Sequence, residues 1–115
     1  MRFGTFVFPV SQKPDNDYRI IHETLNEIQL CDELGFDTAW LSEHHFDGAT
    51  AYVDPVVFAA SIAATTKKIR IGFAVVEMAL HHPVRLAAQT ALLDNCLLYT
   101  SPSPRDRGCS RMPSS

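Results

Sequence analysis

Three short apolar runs, at residues 2–8, 37–42 and 69–76, are each followed by a helix signal. That alternation constrains the fold more than any other feature, because runs this short and this rich in β-branched and aromatic residues read as strands. Pro9 stops the first run, and a polar loop containing Pro14 follows. Ile21, Leu25, Ile28, Cys31 and Leu34 then recur every three or four residues, which is one face of an amphipathic helix. Asp15 or Asn16 is expected to cap its start and Gly35 its end. After the second run, Asp54-Pro55 predicts a helix start, with a carboxylate to accept the first amides and a proline at the first helical position. Residues 56–66 are small and apolar, so this helix should be largely buried, with Lys67 and Lys68 placed where cations oppose the helix dipole. The third run is almost unbroken apolar sequence and reads as a strand buried on both faces. His82-Pro83 opens a third helix, His82 as its cap, running to about Asp94. Its expected packing positions are Val84, Ala87, Ala88, Ala91 and Leu92.

Strands alternating with helices over short links imply parallel pairing. A doubly wound sheet and a barrel both begin this way. The first needs a glycine-rich turn after its opening strand, and here that turn is Phe8-Pro9-Val10-Ser11. The expected fold class is therefore α/β: the first three βα units of a (β/α)8 TIM barrel, incomplete because a whole barrel takes about 250 residues.

Composition divides the chain of 115 residues at about Asn95. Residues 1–95 hold seven Lys or Arg against twelve Asp or Glu, a charge of −5, whereas residues 96–115 hold three against one, +2. The first segment is read as the N-terminal part of the barrel domain. The second, CLLYTSPSPRDRGCSRMPSS, replaces apolar periodicity with Pro, Ser and Arg, which cannot build a packed core. Residues 96–106 resemble the translation of a transposon-end sequencing adapter, so 96–115 is expected to be a non-native, disordered tail. An acidic body without a basic stripe argues against nucleic acid as a partner. The opening apolar run is shorter than a secretory signal with its cleavage site, and no stretch approaches the roughly 20 apolar residues of a membrane span. Cys31, Cys96 and Cys109 have neither metal nor disulfide spacing, which suits a cytoplasmic location.

The candidate chemistry lies in Gly35-Phe36-Asp37-Thr38-Ala39-Trp40-Leu41-Ser42-Glu43-His44-His45-Phe46. Gly35 closes a helix, a strand follows, and it ends in a carboxylate, two histidines and an aromatic ring. In parallel α/β proteins ligands collect at strand ends, and an imidazole titrates near neutrality, as acid–base chemistry requires. Neighbouring strand residues point to opposite faces. If His44 faces the mouth, His45 should face the helical layer or a subunit contact, and the pair does not converge on a metal, so no metal site is expected. Glu43 reads either as a residue that orients a histidine or faces a cofactor, or as a buried carboxylate paired with a loop amide or an arginine. Phe6 and Phe8 are expected to pack in the core rather than to wall a pocket.

Met1-Arg2-Phe3-Gly4-Thr5-Phe6, Glu43-His44-His45-Phe46, Ile69-Arg70-Ile71-Gly72, His82-Pro83-Val84-Arg85 and Leu92-Leu93-Asp94 occur in order. Together they resemble the bacterial luciferase-like flavin-dependent monooxygenases, most closely the alkanal monooxygenase α-chain type. The resemblance implies reduced FMN bound at the barrel mouth, O2 as co-substrate, and oxidation of an aldehyde or another small organic molecule. It makes His44 the catalytic histidine and Glu43, Ala74 and Val75 cofactor-binding, with a non-proline cis peptide at Ala74-Val75. It also allows a separate flavin reductase as partner and a dimeric parent. In that family Leu-Asp leads into Ser-x-Gly-Arg and a fourth strand, where this chain has Asn95 and the tail. Two alternatives stand beside this reading. One is an F420-dependent oxidoreductase on the same barrel. The other is a non-enzymatic or inactive truncated fragment, since three units leave open strand edges.

Overall fold

The computed structural model describes residues 1–97. Its strands are β1 (Gly4–Val7), β2 (Thr38–Leu41) and β3 (Arg70–Phe73), and its main helices are α1 (Asp17–Glu33), α2 (Pro55–Thr65) and α3 (Pro83–Cys96). The strands form one parallel sheet in the order β1-β2-β3. Gly4, Thr38 and Arg70 lie side by side at one end, and Val7, Leu41 and Phe73 at the other. These are three βα units of the barrel type. Each strand is shorter than its apolar run because the ladder ends where the chain turns away: Ala74 N–H still donates to the Leu41 carbonyl at 2.7 Å, but Ser42 N–H donates to the Tyr52 hydroxyl instead of a strand.

One face of the sheet carries the core. Val7, Ala39 and Leu41 point into it, joined by Ile28 of α1 and by Val56, Ala59 and Ile62 of α2. Strand alternation sends Phe6, Trp40 and Gly72 to the other face, where they are neighbours across the sheet. Trp40 lies over the two glycines beside it. A Cβ on Gly72 would fall 2.4 Å from Trp40 Cε3, and one on Gly4 would fall 3.0 Å from Nε1. Glycine is needed there for close approach. Phe6 is 57% exposed on this face, so it does not pack in the core as expected.

Further expectations are corrected. β3 is not buried on both faces: Arg70 is exposed and the other three residues are half-buried, because among the described residues only β2 pairs with it. On α3 the buried residues are Leu86 and Leu93, whereas Val84 and Leu92 are 72% and 65% exposed. That helix is apolar nearly all round, so periodicity does not single out a face. The start of α1 has no side-chain cap. A 3-10 turn, Pro14–Asn16, leads into it, and Asp17 N–H donates to the Pro14 carbonyl.

α2 ends at Thr65 with no basic residue in its last turn, so Lys67 and Lys68 lie beyond it, and only one side of the helix is buried. The starts of α2 and α3 and the packed face of α1 appear as expected. Asp54 accepts from Val56 N–H and Val57 N–H at 2.9 and 3.1 Å with Pro55 at the first helical position. His82 Nδ1 accepts from Val84 N–H at 3.2 Å. Ile21, Leu25, Ile28 and Cys31 face the core, while Leu34, just past the helix end, is exposed. α3 continues through Cys96, and Leu97 packs against the core, so ordered packing crosses the expected boundary at residue 95 by two residues. The rest of the expected tail lies outside the described residues. Among those described, no helix is long and apolar enough to cross a membrane.

Candidate active site

The C-terminal ends of the three strands share one edge, and the residues singled out in the sequence sit along it. Leu41 and Phe73 are register partners, so Ser42 to His45 and Ala74-Val75 leave the sheet side by side. The loops after β1 and β2 are tied together above them. Val10 and Thr50 form an antiparallel bridge, Ser11 N–H donates to the Ala49 carbonyl at 2.6 Å, and Ala51 N–H to the Pro9 carbonyl at 2.9 Å.

Ser42 and Tyr52 form the floor. Tyr52 is buried, stacks on Phe58 at 4.5 Å, and accepts the Ser42 N–H at 3.1 Å. Burial pushes the Tyr52 phenol above its ordinary range, against the lowering effect of its bonds with Ser42. Sequence reasoning did not find this tyrosine, which sits in a loop outside every periodic segment.

Glu43 is the most enclosed charged group of the site, its side chain only 1% exposed. Its Oε1 lies 2.8 Å from His45 Nε2 and 3.0 Å from His81 Nε2, and its Oε2 accepts from Glu77 N–H at 2.7 Å. Burial alone would raise its pKa, but the bonds from His45, Glu77 N–H and His81, with the His81 charge, together hold it below the ordinary carboxylate value. Both sequence readings of Glu43 find support in the geometry: it contacts two histidines, and it is a buried carboxylate paired with a loop amide, that of Glu77. The partners themselves were not legible. His81 and Glu77 lie 38 and 34 residues away, and no local pattern links them to Glu43.

His44 points elsewhere. It is half-buried and meets Phe8 edge-on, with centroids 4.5 Å apart and an interplanar angle of 76°. Phe8 is thus at the mouth, at the end of β1. Asp47 supplies a nearby negative charge. Its carboxylate accepts from Thr50 Oγ1 at 2.6 Å and from the Ala49 and Thr50 amides at 2.9 and 3.0 Å. Those bonds, with a smaller contribution from His44, hold its pKa at about 2. His45 diverges from His44 as alternation requires, but its partner is Glu43 rather than the helical layer. Phe46 follows in the left-handed region (φ 60°) and is fully exposed.

Ala74-Val75 is a cis peptide between non-proline residues. Both residues are exposed at the mouth, Val75 at 59%. Their small side chains leave backbone exposed at this edge. Among the described residues no group of three His, Cys, Asp or Glu side chains is placed to hold a metal ion.

Comparison with known proteins bears on this arrangement. A family model described as luciferase-like monooxygenase matches residues 1–97. The chain is 36% identical over 93 residues to limonene 1,2-monooxygenase of Rhodococcus erythropolis, covering 81% of this chain and 24% of that protein. It is 37% identical over 94 residues to the alkanal monooxygenase alpha chain of the Kryptophanaron alfredi symbiont, covering 82% and 26%. The chain therefore spans about a quarter of the length of these curated relatives. Among solved structures, monooxygenase RslO1 from Streptomyces bottropensis superposes with a TM-score of 0.78 at 30% identity, over 97% of this chain and 37% of that one. The oxygenating constituent of 3,6-diketocamphane monooxygenase from Pseudomonas putida, solved in complex with FMN, superposes with a TM-score of 0.76 at 18% identity, over 97% and 33%. The second likeness is one of fold.

Proposed function

The chain belongs to the luciferase-like monooxygenase family, and from that premise we propose that residues 1–97 form the flavin-facing strand ends of a monooxygenase. The enzyme uses reduced FMN and O2 to oxidise an aldehyde or another small organic substrate. The observation that carries this reading is the convergence of His44 and Ala74-Val75 on one strand-end edge, inside the segment that matches the family.

Each residue has a physical task. Ala74 and Val75 offer exposed backbone and small side chains to the ring of the flavin. His44, held edge-on by Phe8, supplies an imidazole that can give or take a proton at the mouth. Asp47, held anionic by its own hydrogen bonds, sets a negative charge near that ring. The bridged loops at residues 9–11 and 49–51 wall the same edge and limit water there. When bound, the reduced flavin supplies the electrons that activate oxygen.

A full enzyme of this kind needs the further barrel units found in its longer relatives. We place it in the cytoplasm, where Cys31 and Cys96, both free thiols, stay reduced. Its partners in this reading are a small organic substrate, a separate flavin reductase and a second subunit.

The test is His44→Ala in the full-length enzyme, with FMN affinity measured alongside turnover. Turnover should fall by about 10²–10⁴, the usual worth of a positioned acid or base, with FMN affinity nearly unchanged. Unchanged turnover would remove His44 from the mechanism. Binding of F420 in place of FMN would move the protein to a different cofactor class.

A further inference from the structure

The segment from Ala74 to His81 joins β3 to α3 and carries the surface proposed to meet the flavin. Little within the segment holds it in place. Glu77, Met78 and Leu80 are exposed, and its internal bonds are two turn contacts, Leu80 N–H to the Glu77 carbonyl at 2.9 Å and His81 N–H to the Met78 carbonyl at 3.2 Å. Val76 is its one residue packed against the core. Ala74 N–H ties its start to the Leu41 carbonyl at 2.7 Å, and beyond that point its polar ties to β2 come from Glu43 on the neighbouring strand end, which takes Glu77 N–H on one oxygen and His81 on the other.

We propose that Glu43 is a positioning residue that pins residues 74–81 to the end of β2, with His81 as the latch. An ionised carboxylate can only accept hydrogen bonds. His81 and His45 must therefore each present Nε2–H to it. Oε1 then holds two imidazoles, and Oε2 holds the Glu77 amide and the longer 3.2 Å approach of His81. With its acceptor positions taken by the chain itself, Glu43 acts on the site through the segment it holds. The inference rests on the flavin reading only in naming what the segment serves.

His81 gives a test that separates the latch from general packing. Glutamine at this position can keep an N–H donor near the place of Nε2 without a titrating ring, whereas leucine removes the donor. Amide hydrogen exchange in the full-length chain reads the segment without any flavin. His81→Leu should speed exchange at Glu77 by about tenfold or more, the effect of losing one hydrogen bond to a charged group. His81→Gln should stay within about threefold of the natural protein, and amides of β1 and β2 should not change in either variant. FMN titration of the same proteins should then show about tenfold weaker binding for His81→Leu and near-natural binding for His81→Gln. Equal damage from both variants, or no change in Glu77 exchange, would overturn the latch. Faster exchange with unaltered FMN affinity would overturn its role in positioning the site. If the natural protein binds no FMN at all, the flavin reading fails, while the exchange arm still decides whether Glu43 and His81 pin the segment.

Discussion

Two buried carboxylates sit at opposite ends of the sheet, and they differ in what they hold. Asp32, near the end of α1, is 8% exposed and accepts three backbone amides, from Lys67, Lys68 and Ile69, each at 2.8 Å. These lead into β3 at its N-terminal end. Glu43, at the C-terminal end of β2, is 3% exposed and accepts one backbone amide and two imidazoles. Asp32 is surrounded by donors that never titrate, so it works as a joint between α1 and the turn that starts β3. Glu43 is held by one loop amide and two side chains, so it joins the loop after β3 to the histidines. The difference follows the division of a barrel, in which one end of the strands keeps the fold and the other carries chemistry.

The largest expected effect breaks the Asp32 joint. Asp32→Ala leaves three amides without their acceptor and should lower unfolding stability by about 3 kcal/mol or more, read by urea denaturation. A loss under about 1 kcal/mol would mean that water replaces the carboxylate and that this end is not a joint. Glu43→Gln should cost less, about 1–2 kcal/mol near neutral pH, and its cost should depend on pH. The folded-state pKa of Glu43 lies below its ordinary value of 4.5. The stabilisation it contributes is therefore present above about pH 4.5 and is lost as pH falls through the folded-state value. Stability curves of the two proteins should converge in acid, and a constant gap down to that range would show that the carboxylate's charge plays no part. The smallest effect sharpens the boundary between the two ends. Tyr52→Phe keeps the stack on Phe58 but removes the acceptor of Ser42 N–H, so it should cost about 1 kcal/mol, measured by the same denaturation.

What was legible in the sequence was local. The strand–helix alternation, the Asp54-Pro55 start and the His82 cap each depend on residues within a few positions of one another, and each appears where expected. His44 stood out as a residue at a strand end of a parallel sheet, whereas Ala74-Val75 was singled out by the family resemblance. What stayed hidden depends on distance or on an ambiguous surface. The Asp32 amides are 35 to 37 residues away, and the Glu43 partners on the loop are 34 and 38 away. The packed face of α3 was misassigned because alanines and leucines surround that helix, leaving burial to be decided by what α2 presents. β3 was read as fully buried from its composition, but burial of a strand also requires a neighbour on each side.

The most direct test sets the two ends against each other in the full-length protein. Asp32→Asn and Glu43→Gln each remove one charge while keeping side-chain size, and each variant is measured for unfolding stability and for FMN affinity. Asp32→Asn should lose stability with FMN affinity within about threefold of the natural protein, whereas Glu43→Gln should lose less stability yet bind FMN about tenfold more weakly. If affinity falls in both variants in proportion to stability, the two carboxylates are equivalent supports of the fold, and the assignment of one end of this sheet to chemistry is wrong.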